Sequence, residues 1–329
     1  MVKYDYTLPR VRRRKDAMRF TTQTMQEIIP MLQAELASRK AGVTIAFEVL
    51  NPDEGGGYAG EQVTIDGEAY LCRGYKSWVS LAELLKCKMH TPQESCYPFV
   101  TLIFEKLDDA SFHRSEERDK TEKYGTDSTF FEIRKMEEPS FLYYYTQALD
   151  NANITEKRRV LNLGINRGDE FETIKAHIDA KVYQKMELVG IDHSQSAIAH
   201  AQSLFSEPNV QFFAEDINRL DTLRLGTFDL IISIGTLQSP SIRFKPFLMH
   251  LVQTYLDKEQ GAMILGFPNC RWIGGEMLYG AKAPNYAMSE LSILFNDVIF
   301  AKKYLQQHKY RVTITGKEYL FLTATKIEG

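Results

Sequence analysis

From residue 158 onward the chain alternates between two patterns. Short unbroken apolar runs, RRVLNLG, MELVGID, VQFFAED, FDLIISIG and GAMILGF, read as strands buried on both faces. Between them lie stretches with apolar residues three and four positions apart, DEFETIKAHI, SAIAHAQSLF and KPFLMHLVQTYL, which read as amphipathic helices. A further helix is predicted around Glu132 to Leu149, and another, AKKYLQQH, before the last two runs. Those runs, YRVTITG and EYLFLTATK, are too close for a helical crossover and must pair as an antiparallel hairpin. The expected fold class is α/β, a doubly wound and mostly parallel sheet closed by that hairpin.

The N-terminal third has a different rhythm. Phe20 to Lys40 carries Met25, Ile28, Ile29, Leu32 and Leu36 at helical spacing, and Gly42 stops it. VTIAFEVL follows as a strand, and EQVTIDGEAYLC places Asp66-Gly67 between two β-prone runs, the mark of a tight hairpin. SWVSLAELLKCKM reads as a helix and YPFVTLIFEKL as a strand. This is a small α+β domain, residues 1–110, with nothing catalytic in it. Charged and small polar residues displace apolar ones in DDASFHRSEERDKTEKYGTDS, so 111–128 reads as a linker and 129–329 as the larger domain.

Composition narrows the class only slightly. The 329 residues are 44% hydrophobic and 25% charged, the balance of an ordinary globular protein that can bury a core. A formal net charge of -3 gives no global reason to expect nucleic acid, although the cluster Arg10, Arg12, Arg13, Arg14 and Lys15 could grip phosphates or be a solvated arm. Four cysteines without a C-x-x-C pair argue against a zinc site or disulfide framework and for a reducing, cytoplasmic setting. The N-terminus has no apolar run after its basic cluster, so no signal peptide is read there, and no stretch is long enough for a membrane helix.

Chemistry concentrates in VLNLGINRGDEF, a strand entering a glycine-marked turn and then a helix. Gly164 and Gly168 flank Asn166 where a dinucleotide fingerprint would carry its middle glycine, so the turn alone is weak evidence. The second strand ends in Asp192, 24 residues beyond Gly168, where a carboxylate can accept both ribose hydroxyls. The third strand ends in Asp216, another 24 residues on, where a carboxylate can accept from an adenine amine. Either aspartate could instead cap a helix, but the pair at matching strand ends favours cofactor ligands.

Taken in order, VLNLGINRG, LVGIDHS, FFAEDI, FDLIISIGTLQS and the closing hairpin resemble the class I S-adenosylmethionine-dependent methyltransferases, over roughly residues 125 to 327. The resemblance implies that Gly164 and Gly168 admit the methionine portion of S-adenosyl-L-methionine, with Asn166 between them. It further implies that Asp192 holds the ribose, Asp216 the adenine amine and Ile217 the adenine face. His193 and Ser233 stand beside these positions, and Tyr124 could lie over the cofactor. The chain departs from the family pattern at Asn162, where an acidic residue usually orients the cofactor's amino group, and at Asn166.

On the acceptor side, residues 267–300 are long for a connection that usually spans about 2 to 6 residues, and are expected to form a lid, with the apolar spacing of a packed helix in its second half. Its candidate contacts are Asn269, Arg271, Trp272, Tyr279 and Tyr286, with Glu276 and His250 as candidate general bases. Ser233 stands where a metal-dependent enzyme of this kind would offer a carboxylate, so no metal is expected. The favoured function is methyl transfer to an oxygen or nitrogen of a small molecule. Transfer to tRNA or rRNA, presented by residues 1–110, is the second reading, and a non-catalytic scaffold of the same fold, motivated by Asn162, is the third.

Overall fold

The computed structural model describes residues 18–108, 122, 125–280 and 290–327. Tyr124, Tyr286 and the basic cluster at Arg10 to Lys15 lie outside the described residues. The chain divides into two compact units, Met1–Asp109 and Ala110–Gly329.

In the first unit, β1 (Met18–Phe20) precedes α1 (Met25–Ala37), β2 (Thr44–Leu50), β3 (Glu61–Ile65) and β4 (Glu68–Cys72). Then come α2 (Tyr75–Leu84), β5 (Cys87–Met89), β6 (Gln93–Glu94) and β7 (Phe99–Lys106). The helix α1 starts five residues later than its apolar spacing suggests, because the Thr24 amide donates to the Glu27 carboxylate and sets the cap there. Strands run in the order β1-β2-β7-β5, with β6 also on β7, and β3 and β4 form a separate hairpin. Asp66 and Gly67 both take positive φ at its tip, 52° and 84°, as a two-residue turn of this kind requires. Sequence spacing extended α2 through Met89. The chain instead turns at Lys86, φ 54°, and Cys87–Met89 pairs with β7. Phe47, Phe104 and Trp78 are wholly buried at the centre of this unit, each worth about 1.5 to 3 kcal/mol by burial alone.

The second unit opens with short 3-10 turns at Thr129–Glu132 and Lys135–Glu137, then α3 (Pro139–Asn151). The first half of the sheet is built by β8 (Arg159–Leu163), α4 (Asp169–His177), α5 (Ala180–Tyr183), β9 (Glu187–Asp192), α6 (Gln195–Leu204) and β10 (Val210–Ala214). The second half follows as β11 (Leu230–Ile234), α7 (Phe244–His250), β12 (Ala262–Pro268), the hairpin β13 (Cys270–Ile273) and β14 (Glu276–Tyr279), and α8 (Glu290–Gln307). Two last strands, β15 (Tyr310–Gly316) and β16 (Tyr319–Lys326), complete it.

Seven strands form one sheet in the order β10-β9-β8-β11-β12-β16-β15. Every neighbouring pair is parallel except those of β16, which runs antiparallel to both β12 and β15. The predicted hairpin is therefore real, and its second strand is inserted beside β12. Helices cover both faces. Phe141, Tyr145, Phe171 and Ile174 of α3 and α4 lie over one, and Leu248, Leu294 and Val298 of α7 and α8 over the other. Tyr145 is the buried member of the Tyr143–Tyr145 triplet, while Tyr143 is exposed. The chain reverses direction across the sheet beside β8, between β9 and β11, and the carboxyl edge there is where open α/β sheets leave a crevice.

The stretch predicted as a lid is smaller than its length suggested. Residues 270–279 make the β13–β14 hairpin, and from Glu290 the chain is already in α8, which buries Leu294 and Val298. Among the described residues no helix is long and apolar enough to cross a membrane.

Candidate active site

The turn after β8 is held in its shape by three positive φ values, 82° at Gly164, 46° at Asn166 and 96° at Gly168. At Gly164 the glycine is obligatory twice over. The backbone is left-handed, and a Cβ would fall 1.9 Å from Thr236 Oγ1, on the loop after β11. The Gly164 and Ile165 amides both donate to the Ile191 carbonyl, at 2.8 and 3.1 Å, which binds the turn to the end of β9. Asparagine is among the few other residues that tolerate the left-handed region, so Asn166 fits without a glycine.

Asp192 joins the two loops. One carboxylate oxygen accepts the Asn166 amide at 3.0 Å and the other accepts the Ser194 amide at 3.0 Å. The residue is only 6% exposed, yet it lines the cleft, and each oxygen keeps a lone pair for a further donor. His193 lies beside it, Nδ1 3.7 Å from the carboxylate. Ser194, not Asp192, caps α6, accepting the Ala197 amide at 3.1 Å.

The cleft itself is open to solvent. On one side stand Gly164, Asn166, Asp192 and His193; on the other stand Pro268, Cys270, Arg271, Trp272 and Tyr319. The Trp272 indole N–H is buried and has no hydrogen-bond partner. Among the described residues no group of three His, Cys, Asp or Glu side chains could hold a metal ion.

Several predicted residues lie elsewhere. Gly168 caps α4 and faces Phe205, whose ring would stand 2.7 Å from an added Cβ. Asp216 is at the same sheet edge one strand further out, where its carboxylate caps the following turn by accepting the Asn218 amide at 2.9 Å. Ile217 is buried in the core. Ser233 is buried too, its hydroxyl donating to the Leu163 carbonyl at 3.0 Å, so its role is to tie β11 to β8. Ser233→Ala is expected to cost about 1 kcal/mol in a denaturant titration, the net worth of one buried hydrogen bond, with ligand affinity unchanged within about twofold.

His250 is a correction. It closes α7, six residues before Leu256 bridges to Phe228 at the start of β11, and does not line the cleft. There its Nε2 meets Asp221 at 3.0 Å and its Nδ1 meets Thr254 at 3.2 Å. The helical stretch after β11 runs on through Tyr255 toward the start of that strand, which takes His250 away from the cleft and leaves it no role there as a base. Glu276 pairs with Ile273 at the hairpin turn, in the field of Glu138, and does not line the cleft. Asn269 is buried, its backbone N–H donating to the Glu318 carbonyl at 2.8 Å, and Tyr279 is exposed at the end of β14.

The structure also supplies residues that sequence reasoning passed over. Thr236 and Lys135 line the cleft, and Glu170 lines a smaller cavity with Lys135, Gly164 and Asn166. Glu122, inside the stretch read as a linker, accepts the Gln195 amide at 2.8 Å and hydrogen bonds from Ser194 and Ser196 at the start of α6. Burial pushes its carboxyl up, but those hydrogen bonds outweigh it and hold the group below the usual range.

Residues 160–253 match the family model described as a methyltransferase domain. This stretch of the larger unit is similar to a methyltransferase domain. The match begins at β8 and ends in the π-helical turn Leu251–Tyr255 after α7, and so takes in the glycine turn, Asp192 and Asp216. Among solved structures, the chain is similar to magnesium protoporphyrin IX methyltransferase from Synechocystis PCC 6803 with bound SAH. There the identity is 13%, covering 59% of this chain and 88% of that one, with a TM-score of 0.37. It is similar to the plantazolicin methyltransferase BpumL in complex with an analogue and SAH, at 14% identity, 63% and 94% coverage and a TM-score of 0.40. A third is precorrin-6y C5,15-methyltransferase from Geobacter metallireducens GS-15, at 11% identity, 56% and 88% coverage and a TM-score of 0.38. At such low scores the three carry no weight here; the family match and the strand order do. No curated protein matches the chain.

Proposed function

We propose that this methyltransferase domain binds S-adenosyl-L-methionine in the cleft at the carboxyl edge of the sheet and moves its methyl group to an oxygen or nitrogen of a small molecule, without a metal. The observation that carries this reading is Asp192, a nearly buried carboxylate in the cleft wall, fixed by the Asn166 and Ser194 amides at the end of β9. A carboxylate held in this way is oriented before any ligand arrives, so it loses little freedom when it accepts two vicinal hydroxyls. The left-handed turn at Gly164 and Asn166 brings backbone, not side chains, to the adjoining part of the cleft. His193 borders the same wall, and Asp216, exposed at the next strand end with one carboxylate oxygen taken by Asn218, keeps the other for an exocyclic amine.

When bound, the cofactor supplies a methyl group activated on a sulfonium. The chain's own contribution is then placement and exclusion of water. Pro268, Cys270, Arg271, Trp272 and Tyr319 form the wall against which an acceptor would lie, with the unpartnered Trp272 N–H offered to it. Neither His250 nor Glu276 lines this cleft, so the reading assigns no general base to them. His250→Ala is accordingly expected to keep turnover within about twofold of wild type. Residues 18–108 stand in this reading as an accessory or substrate-presenting domain.

The test is calorimetric titration of the full chain with S-adenosylmethionine and S-adenosylhomocysteine, followed by incubation with methyl-labelled cofactor and a fractionated cell extract. Micromolar binding and label in the small-molecule fraction are expected. Absence of binding at millimolar ligand would overturn the cofactor reading. Label appearing in RNA would overturn the acceptor class and leave the cofactor reading standing.

A further inference from the structure

Glu170 sits in the first turn of α4 and is only 6% exposed. It borders a small cavity whose other walls are Phe130, Ile133, Lys135, Met136, the Gly164–Arg167 turn and Asp169. A carboxylate buried this deeply is normally paired with a cation, because desolvating an unpaired charge is costly. Among the described residues no cationic side chain comes within 4 Å of this one. Arg167, on the adjoining turn, is directed to Asp169 at 3.4 Å and to the Phe131 carbonyl at 2.9 Å. Lys135 acts on Glu170 only from a distance; its Nζ lies 5.3 Å from the Phe130 ring centroid and 5.9 Å from that of Tyr319. Arg167 and Asp169 thus face each other on the cavity wall, and Glu170 and Lys135 are left on it separated by space.

The neighbouring strand sharpens the point. Asn162, two residues before Gly164, is 1% exposed, is neutral, and leaves its Nδ2 donor without a partner. By alternation with Leu161 and Leu163 it points to the face that α4 covers. An ammonium near the turn would find a donor there, not an acceptor of charge. Of the two carboxylates that border the cavity, Asp169 faces Arg167 at 3.4 Å, which leaves Glu170.

We propose that the space between Glu170 and Lys135 receives an α-amino-acid group, its ammonium on the Glu170 carboxylate and its carboxylate toward Lys135. Resting on the cofactor reading above, this assigns the subsite to the methionine end of the cofactor, and makes Glu170 a specificity residue for that end. The burial of Glu170, which pushes its carboxyl up to about 7, fits a group that is costly to ionise until a cation joins it.

The decisive comparison uses two ligands, S-adenosylhomocysteine and 5′-methylthioadenosine, which share the nucleoside and thioether while only the first has the amino-acid group. Both are titrated calorimetrically into wild type, Glu170→Gln and Lys135→Met at pH 8. Loss of a charge-assisted contact is expected to weaken S-adenosylhomocysteine by roughly 10- to 100-fold in each variant, with 5′-methylthioadenosine unchanged within about twofold. Equal weakening of both ligands would mean a merely structural Glu170, and no weakening of either would mean that the group lies elsewhere; each overturns the proposal while the cofactor reading survives. Failure of both ligands to bind the wild type would remove the cofactor reading and this proposal together. Unfolding temperatures of the variants, recorded beside the titrations, separate lost affinity from lost fold.

Discussion

Glu170→Gln is expected to raise the melting temperature of the free protein at pH 8 and to leave it nearly unchanged at pH 4. Burial pushes the Glu170 carboxyl from its ordinary 4.5 up to about 7, against the opposing pull of Lys135; the Asp169 and Asp192 carboxylates add to the rise. The unfolded chain releases this proton near pH 4.5 and the folded chain holds it until about pH 7. Between those values the folded state binds more protons, so stability falls as the pH rises. The stabilising contribution of the protonated group is complete below about pH 4.5 and lost once the pH has risen through 7. With 1.36 kcal/mol for each pH unit between the two states, the loss amounts to roughly 3 kcal/mol. Glutamine keeps the shape, carries no charge, and escapes that loss. In a unit of this size about 1 kcal/mol moves the midpoint by roughly 2–4 °C, so a gain of about 6–12 °C is expected at pH 8. Thermal unfolding of both proteins at the two pH values checks it. A variant no more stable than wild type at pH 8 would mean that the carboxylate is already paired or solvated. Together with the ligand comparison, such a gain would make Glu170 a residue kept for binding at the expense of stability.

Asp192→Ala is expected to weaken S-adenosylhomocysteine by about 1 to 3 kcal/mol, a factor of roughly 5 to 150, and S-adenosylmethionine equally. Two losses combine. The hydroxyls of the ligand would lose their charged acceptor, and the Asn166 and Ser194 amides would lose the group that holds the two loops at 3.0 Å. Asp192→Asn separates these effects. Its amide oxygen can still accept one of the two backbone N–H groups, whereas its NH2 cannot accept the other, so intermediate weakening is expected. Because the two loops meet nowhere else through a side-chain carboxylate, a small drop in stability should accompany either substitution. Calorimetry on the three proteins is the measurement, and unaltered affinity in Asp192→Ala would remove Asp192 from the site.

The legibility of the chain differs between its parts for physical reasons. Strands such as VLNLG and DLIISI are unbroken apolar runs because helices cover both faces of a parallel sheet, and that pattern is visible without coordinates. The closing hairpin was also legible, since two strands separated by a few residues have no room for a crossover. Gly164, Asn166 and Asp192 could be read because backbone conformation and strand-end position follow from local sequence. By contrast, α2 was overextended into Cys87–Met89, since apolar spacing over three residues does not tell a helix from a strand. The length of residues 267–300 suggested a lid, but its final third is the start of α8, and apolar spacing alone left that helix and a lid both open.

What the sequence determined by itself was the order of elements, the fold class and the turn that marks the cleft, all of which rest on local periodicity and local backbone preference. Which side chains meet was decided only by the tertiary structure. His250 was carried away from the cleft by the direction of α7, and Ser233 was turned inward by the pleat of β11. Glu170 looks, in DEF, like any acidic residue favoured at a helix N-terminus. Only folding reveals that it is buried without a cation beside the glycine turn. Charge pairing across an interior depends on distances between elements far apart in the chain, and no local pattern encodes them.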